Sequence, residues 1–232
     1  ETGDLSTARY QVGGAGTQTA GLVFGGSAPS VSNATEEFGG STWTSGNNLN
    51  TARRYLAGFG IQTAALAVAG AEPSNSVLVE NYNGTSWTEI AEVNTARREL
   101  SGSGTTTSGL VFAGGPPATG KIVASAGTSW TEVADLGTAR YRGAGAGPAP
   151  SEASLAFGGT AGGRVGNTEE WTAPATFNQI TLGQLYYNST ANAFKETIKS
   201  IPSGTFASGN ALNTARYTSG VCGVSTAAIC AG

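Results

Sequence analysis

The chain has 232 residues, no histidine, 36 glycines and a formal net charge of −3. Without imidazole it has no His-ligated zinc or copper, no Ser-His-Asp or Cys-His nucleophile and no histidine acid/base pair; its 12 Lys and Arg are scattered, so no basic tract is there to release counterions from a nucleic acid. Glycine at this frequency, with abundant Thr, Ser and Val, disfavours helices and points to an all-β chain. No apolar run approaches the roughly 20 residues that span a bilayer, so membrane insertion is not expected. The chain also contains no Met, and residue 1 is expected to be an internal position of a longer protein.

Read from the start, the triplet Thr-Ala-Arg recurs at Thr7-Ala8-Arg9, Thr51-Ala52-Arg53, Thr95-Ala96-Arg97, Thr138-Ala139-Arg140 and Thr214-Ala215-Arg216, with spacings of 44, 44, 43 and 76. A fixed period near 44 signals an array of like units. After each Arg comes a short strand. A second, apolar strand then ends in small residues at Gly26, Gly70, Gly115, Gly159 and Gly232. A variable loop leads to a third strand with an aromatic (Phe38, Tyr82), and a fourth strand carries Trp43, Trp87 or Trp130. Runs of about five residues bounded by Gly, Pro, Asn or Ser suit strands. A lone four-stranded sheet of this size cannot cover both of its faces, so neighbouring units must.

An apolar strand closed by Gly-Gly (Gly25-Gly26, Gly114-Gly115, Gly158-Gly159), then an aromatic, a Trp and an Arg that opens the unit, resembles the kelch repeat of β-propellers. The resemblance implies four-stranded blades packed radially. The second unit departs from it with Ala69-Gly70, and the third has Ala124-Ser125-Ala126 where an acidic-aromatic pair belongs. The expected blades run over residues 5–48, 49–92, 93–135 and 136–211, with part of a fifth over 212–232. Residues 1–7 align on 89–95, so a fourth strand is expected before residue 1.

The 76-residue spacing holds about 30 extra residues. Matching 168–171 to 35–38 and 206–210 to 43–47 places the insert, 172–205, between third and fourth strands of the fourth unit. Within it, 183–188, a polar turn over 189–192 and 193–195 read as a hairpin, similar to the GQLYYNSTANAFK type of hairpin in bacteriophage tail and fibre proteins. Together with the Asn-Thr-Ala-Arg openings and Thr-Gln-Thr-Ala turns, the chain resembles repeat proteins of marine bacteriophage virions. Tyr186, Tyr187 and Phe194 are the candidate docking residues of this insert.

Residues that recur in every unit are best explained by what every blade needs. The repeated Arg is expected to pair with a nearby acid or carbonyl, Glu36 or Glu37, Glu80, and Glu169 or Glu170 to supply the acids, and the Trp side chains to pack between blades. The alternatives are an Arg ring gripping an anion, Trp platforms for sugars, and carboxylates held about 5–9.5 Å apart for hydrolysis. The second arginines Arg54, Arg98 and Arg142 recur less regularly and are the better ligand candidates. The Trp turns lack the Asp of sialidase aspartate boxes, and a galactose-oxidase-like copper site would need His. Cys222 and Cys230 straddle a turn and are expected nearly opposite each other on paired strands, as two thiols or a disulfide.

What differs between units is the loop between second and third strands, over 27–35, 71–77, 116–122 and 160–168. These loops are expected to emerge on one face, where binding is usually placed, with Ser30, Asn33, Asn75, Lys121, Arg164 and Asn167 as candidate contacts. The expectation is a non-enzymatic module without cofactor or metal, in a virion or extracellular setting. Its partners are expected to be other virion proteins or a host cell-surface glycan or protein. A bacterial extracellular carbohydrate-binding or adhesion propeller is the alternative.

Overall fold

The computed structural model describes residues 3–147 and 153–173, together with the backbone course of five further strands. Four antiparallel four-stranded sheets follow one another along the chain. The first comprises Gly13–Gly16, Gly21–Phe24, Thr35–Phe38 and Trp43–Ser45. The second comprises Ala57–Ile61, Ala64–Val68, Val79–Tyr82 and Trp87–Ile90. Ser101–Gly104, Gly109–Phe112, Thr119–Ser125 and Trp130–Arg140 form the third. Ala144–Ala146, Ala153–Phe157, Thr168–Thr172 and Thr205–Ser208 form the fourth. Each first strand lies beside the first strand of the next sheet, so the four are the inner strands of four propeller blades.

Between the third and fourth strands of blade 4, Leu185–Asn188 pairs with Ala193–Glu196 in a hairpin, as the inserted segment leads one to expect. Gly220–Cys222 pairs with Ile229–Ala231 beyond it. The two cysteines lie on these paired antiparallel strands, as expected, one register position apart: Cys222 is opposite Ile229 and Cys230 opposite Val221.

The glycines explain how closely the blades approach. In register, Gly14, Gly58, Gly102 and Gly145 are equivalent, each opposite the same position of the second strand. A Cβ on Gly58 would lie 2.5 Å from the carbonyl oxygen of Gly14 and 2.7 Å from Phe24, and one on Gly102 2.6 Å from Phe59. On Gly145 it would collide with Phe112. The inner strand of each later blade thus seats its glycine against the blade before it, where a side chain has no room.

Register also identifies the closing pair of each second strand as Gly25-Gly26, Ala69-Gly70, Ala113-Gly114 and Gly158-Gly159. Blade 3 therefore uses Ala113-Gly114, a correction to the expected Gly114-Gly115. The first residue of the pair has φ of 65°, 57°, 63° and 64°, a left-handed region that Ala enters at a cost of about 1–2 kcal/mol. The second has φ of 95°, 100°, 115° and 108°, which only glycine adopts readily, and it is glycine in all four blades.

Buried residues form clusters that straddle blade boundaries. One joins Leu22 and Phe24 of blade 1 to Ala65, Tyr82 and Trp87 of blade 2; another joins Phe59 and Leu66 to Val111, Val123 and Trp130. The Trp87 ring meets Phe24 edge-on at 4.8 Å, and its indole N–H donates to Thr35 Oγ1 at 3.0 Å. Trp130 likewise donates to Ala91 O at 3.0 Å. Both tryptophans therefore serve as inter-blade packing, satisfying the polar edge of a large buried ring.

Candidate functional site: the channel mouth on the variable-loop face

The recurring arginines among the described residues are taken up by the scaffold. Arg9, Arg53 and Arg140 pair with Glu36, Glu80 and Glu169 at 2.7, 2.8 and 2.7 Å, all six side chains almost fully buried. Each glutamate also accepts a backbone N–H from the segment that enters the blade: Ser6 at 2.8 Å, Asn50 at 2.7 Å and Gly137 at 2.7 Å. A second guanidinium nitrogen reaches carbonyls, as Arg53 Nη1 does to Ala69 O and Leu78 O at 2.8 Å. Burial pushes the Arg53 and Arg140 pKa values down, and their glutamates oppose the shift.

Blade 3 breaks this pattern. The register that holds Glu36, Glu80 and Glu169 holds Val123. Arg97, 2% exposed, is left with carbonyl acceptors at Ala113 O (2.9 Å) and Lys121 O (2.8 Å). Burial lowers its pKa to about 10, only partly countered by the charge on Glu132.

The two positions after each recurring Arg differ from blade to blade, and they line one end of the central channel. The first is Tyr10, Arg54, Arg98 and Tyr141, each bridged to the start of its variable loop at Ser27, Ala71, Gly115 and Thr160. All four variable loops therefore rise on the same face. The second is Gln11, Tyr55, Glu99 and Arg142, all with left-handed φ between 56° and 60°. Their backbones form a relay from blade to blade: Tyr55 N–H donates to Gln11 O at 2.9 Å, Glu99 N–H to Tyr55 O at 2.8 Å, and Arg142 N–H to Glu99 O at 2.8 Å. Arg142 thus occupies the Tyr55 and Glu99 position, so the expected equivalence of Arg54, Arg98 and Arg142 holds only for the first two.

Side chains extend the relay. Gln11 Nε2 donates to the Tyr55 hydroxyl. Arg54 and Arg98 both flank the Tyr55 ring, at 5.6 and 5.9 Å from its centre. Arg142 Nε lies 2.7 Å from Glu99 Oε2 and its Nη2 donates to Glu99 Oε1 at 2.9 Å; this hydrogen-bonded pairing raises the Arg142 pKa. Tyr10, 57% exposed, stands at the edge of the mouth.

Below the mouth lies a cavity of ≈ 230 Å³ lined by all four inner strands, including Leu56, Leu100, Ser101 and Gly143. A second, of ≈ 200 Å³, opens at the far end among Gly16, Gly60, Gly104 and Gly147. The lining residues of both are glycine, small or apolar, and none is a carboxylate. Among the described residues, no three His, Cys, Asp or Glu side chains gather where they could hold a metal ion.

Five of the sequence-derived loop residues lie in the variable loops with different roles, and Lys121 is a correction: the third strand of blade 3 begins at Thr119, so the expected loop 116–122 is cut short and Lys121 lies in the strand, opposite Asp135. Asn33 donates to Leu49 O at 3.0 Å, fixing its loop from within. Asn75 Oδ1 accepts from Arg98 at 3.3 Å and so belongs to the mouth. Lys121 pairs with Glu132 at 2.6 Å on the third-strand surface of blade 3. Ser30 is exposed in a two-residue strand paired with Ser27–Ala28. Arg164 and Asn167 are exposed in the blade 4 loop, where Asn167 reaches Thr138 Oγ1 at 3.4 Å. The side chains of Tyr186, Tyr187 and Phe194 lie outside the described residues, although their backbones pair Tyr186 with Lys195 and Tyr187 with Phe194. Sequence reasoning missed Tyr55 and Glu99; the signal was their spacing of 44, one place after the variable position already noticed.

No protein-family model matches the chain, and no curated protein matches it.

Proposed function

We propose that the chain is a non-enzymatic propeller module of a bacteriophage virion, a structural or adsorption protein that holds a host-surface or virion partner on its variable-loop face. The observation that carries this reading is the division of labour within each repeat. The residues common to the blades are spent on ion pairs, inter-blade rings and close backbone contact. The residues that vary collect around one channel mouth, on a backbone relay that keeps them in place. A rigid scaffold with one variable face is a binding architecture. The virion assignment rests on the tail-fibre-like hairpin sequence of the insert and on the kelch-like repeat.

The test is high-resolution imaging of the native assembly that contains the chain. The expected result is a virion in which the insert hairpin is packed against a neighbouring protein and the variable loops face outward. A free ring outside any particle, with a small molecule turned over in its channel, would overturn the proposal.

A further inference from the structure

Arg54 and Arg98 are the unspent cations of the mouth. Every other described arginine among residues 9–142 has a carboxylate, as in the Arg9, Arg53, Arg140 and Arg142 pairs, or is sealed against carbonyls, as Arg97 is. Arg54 has no acid within ion-pair distance among the described residues, and its guanidinium contact is the Tyr55 ring. Arg98 has the same ring and one neutral amide, Asn75. Tyr55 holds both: its hydroxyl is fixed by Gln11 and its backbone is tied to blades 1 and 3. Two guanidiniums held on one anchored ring, neither with an acid and Arg98 with only a neutral amide, keep planar N–H donors for an anion at little further entropic cost, which is the arrangement that recognises a carboxylate or sulfate.

We infer that the mouth formed by Arg54, Tyr55 and Arg98 binds an acidic glycan through a carboxylate or sulfate group on the sugar. This inference rests on the reading that the variable-loop face is the binding face. Two free cations on a chain of net charge −3 do not supply the row of phosphate contacts that nucleic acid needs. Strand addition by a peptide needs an unpaired edge, whereas at this rim the segments at Tyr10, Arg54, Arg98 and Tyr141 are already bridged to their loops. A glycan needs neither, and the exposed Tyr10 ring offers it an amphipathic surface beside the cations.

The experiment titrates the full chain with oligogalacturonate, which carries carboxylates, with dextran sulfate, which carries sulfates, with neutral dextran and with poly-glutamate. One or both acidic glycans are expected to bind, more weakly as salt rises, and which of them binds identifies the anion. Arg54→Gln and Arg98→Gln should each weaken binding about 10-fold, the scale of one charge-assisted contact. Arg54→Lys should recover part of the loss, and Lys121→Gln, an equal change of charge elsewhere, should have no effect. Circular dichroism of each variant shows that it is folded. Poly-glutamate binding as tightly as the glycans, equal losses for Lys121→Gln and Arg54→Gln, or no binding to either acidic glycan would overturn the inference. Imaging of the native assembly does not depend on these titrations: loops facing outward with no acidic-glycan affinity would sink the ligand class alone, and loops buried in the assembly would sink the face.

Discussion

Arg53 and Glu80 form an ion pair sealed inside blade 2, with Nη2 and Oε1 2.8 Å apart and each side chain 1% exposed. Such a pair adds little over a well-packed apolar pair, but losing one member strands a charge. Glu80→Ala is expected to cost about 3–5 kcal/mol, because Arg53 keeps its charge and the Asn50 N–H also loses its acceptor. Replacing both residues, as Arg53→Met with Glu80→Leu, should cost much less than Glu80→Ala alone. Urea denaturation of the three variants measures this, and a Glu80→Ala loss within the range of a surface pair, about 1 kcal/mol or less, would contradict it.

Arg97 offers the converse case, since Val123 stands where the other blades place glutamate. Burial lowers its pKa in the fold to about 10, well below the ordinary arginine range. Below about pH 10 it is charged in both folded and unfolded chains, so the full burial penalty is present at neutral pH and is relieved only as pH rises above about 10 towards the ordinary arginine range. Arg97→Met is therefore expected to be less damaging than Arg53→Met, which strands Glu80. Val123→Glu should gain from Arg97 what Glu80 gains from Arg53. A double-mutant cycle between Val123→Glu and Arg97→Met is expected to show favourable coupling of about 3 kcal/mol between the Glu and the Arg. Coupling near zero would mean that blade 3 does not share the geometry of its neighbours.

The repeat made most of the scaffold legible in the sequence. Period, strand number and the structural use of Arg9, Arg53 and Arg140, of their glutamates and of Trp87 and Trp130 could be read from residues recurring in phase, whereas Trp43, half-buried, packs on Phe38 of its own blade. What could not be read depends on register and on neighbours distant in the chain. In blade 3, Ala113-Gly114 and Gly114-Gly115 fit the pattern equally well until Ser101 is seen opposite Phe112. Arg142 looked like Arg54 because both follow an Arg, yet it follows two places after Arg140 rather than one. Tyr55 and Glu99 carried no motif of their own; their importance comes from the inter-blade relay, which no single repeat contains.

Gly14 and Gly58 occupy the same place in successive blades but face different surroundings. A Cβ on Gly14 would meet only Leu22 O, at 3.5 Å, whereas one on Gly58 would press into the Gly14 backbone. Gly14→Ala is expected to change stability by less than about 1 kcal/mol. Gly58→Ala should cost about 1–3 kcal/mol or more, because the blades would have to separate. Thermal unfolding of the two variants side by side checks the contrast, and equal melting temperatures would refute it.

Phe59 reveals a compensation inside blade 2. Register places Val68 where Phe24 and Phe112 stand in blades 1 and 3, and the ring is supplied instead by Phe59 from the inner strand, packed against the Gly102 and Gly109 positions of blade 3. Phe59→Ala is expected to cost about 3–5 kcal/mol. If the ring rather than its origin matters, Val68→Phe in the Phe59→Ala background should recover part of that loss, as read by the urea midpoint. Further destabilisation would show that the second strand of blade 2 has no room for the ring that its neighbours carry there.

Glu99 is the one carboxylate among the mouth side chains, and it holds Arg142 by two contacts. Glu99→Gln keeps the shape and a hydrogen-bond acceptor but removes the charge that neutralises Arg142. Because Arg142 is partly exposed, 27% at its side chain, water can solvate the released guanidinium, and the stability loss should stay near 1–2 kcal/mol rather than reach the cost at Glu80. The same change removes the negative charge of Glu99 from a mouth that already has Arg54 and Arg98. Retention on an anion-bearing matrix should therefore rise and become more salt-sensitive, in the direction opposite to Arg54→Gln. If Glu99→Gln lowered retention instead, the carboxylate would be contributing to ligand contact, and the mouth would be selecting for a cation or a hydroxyl rather than an anion.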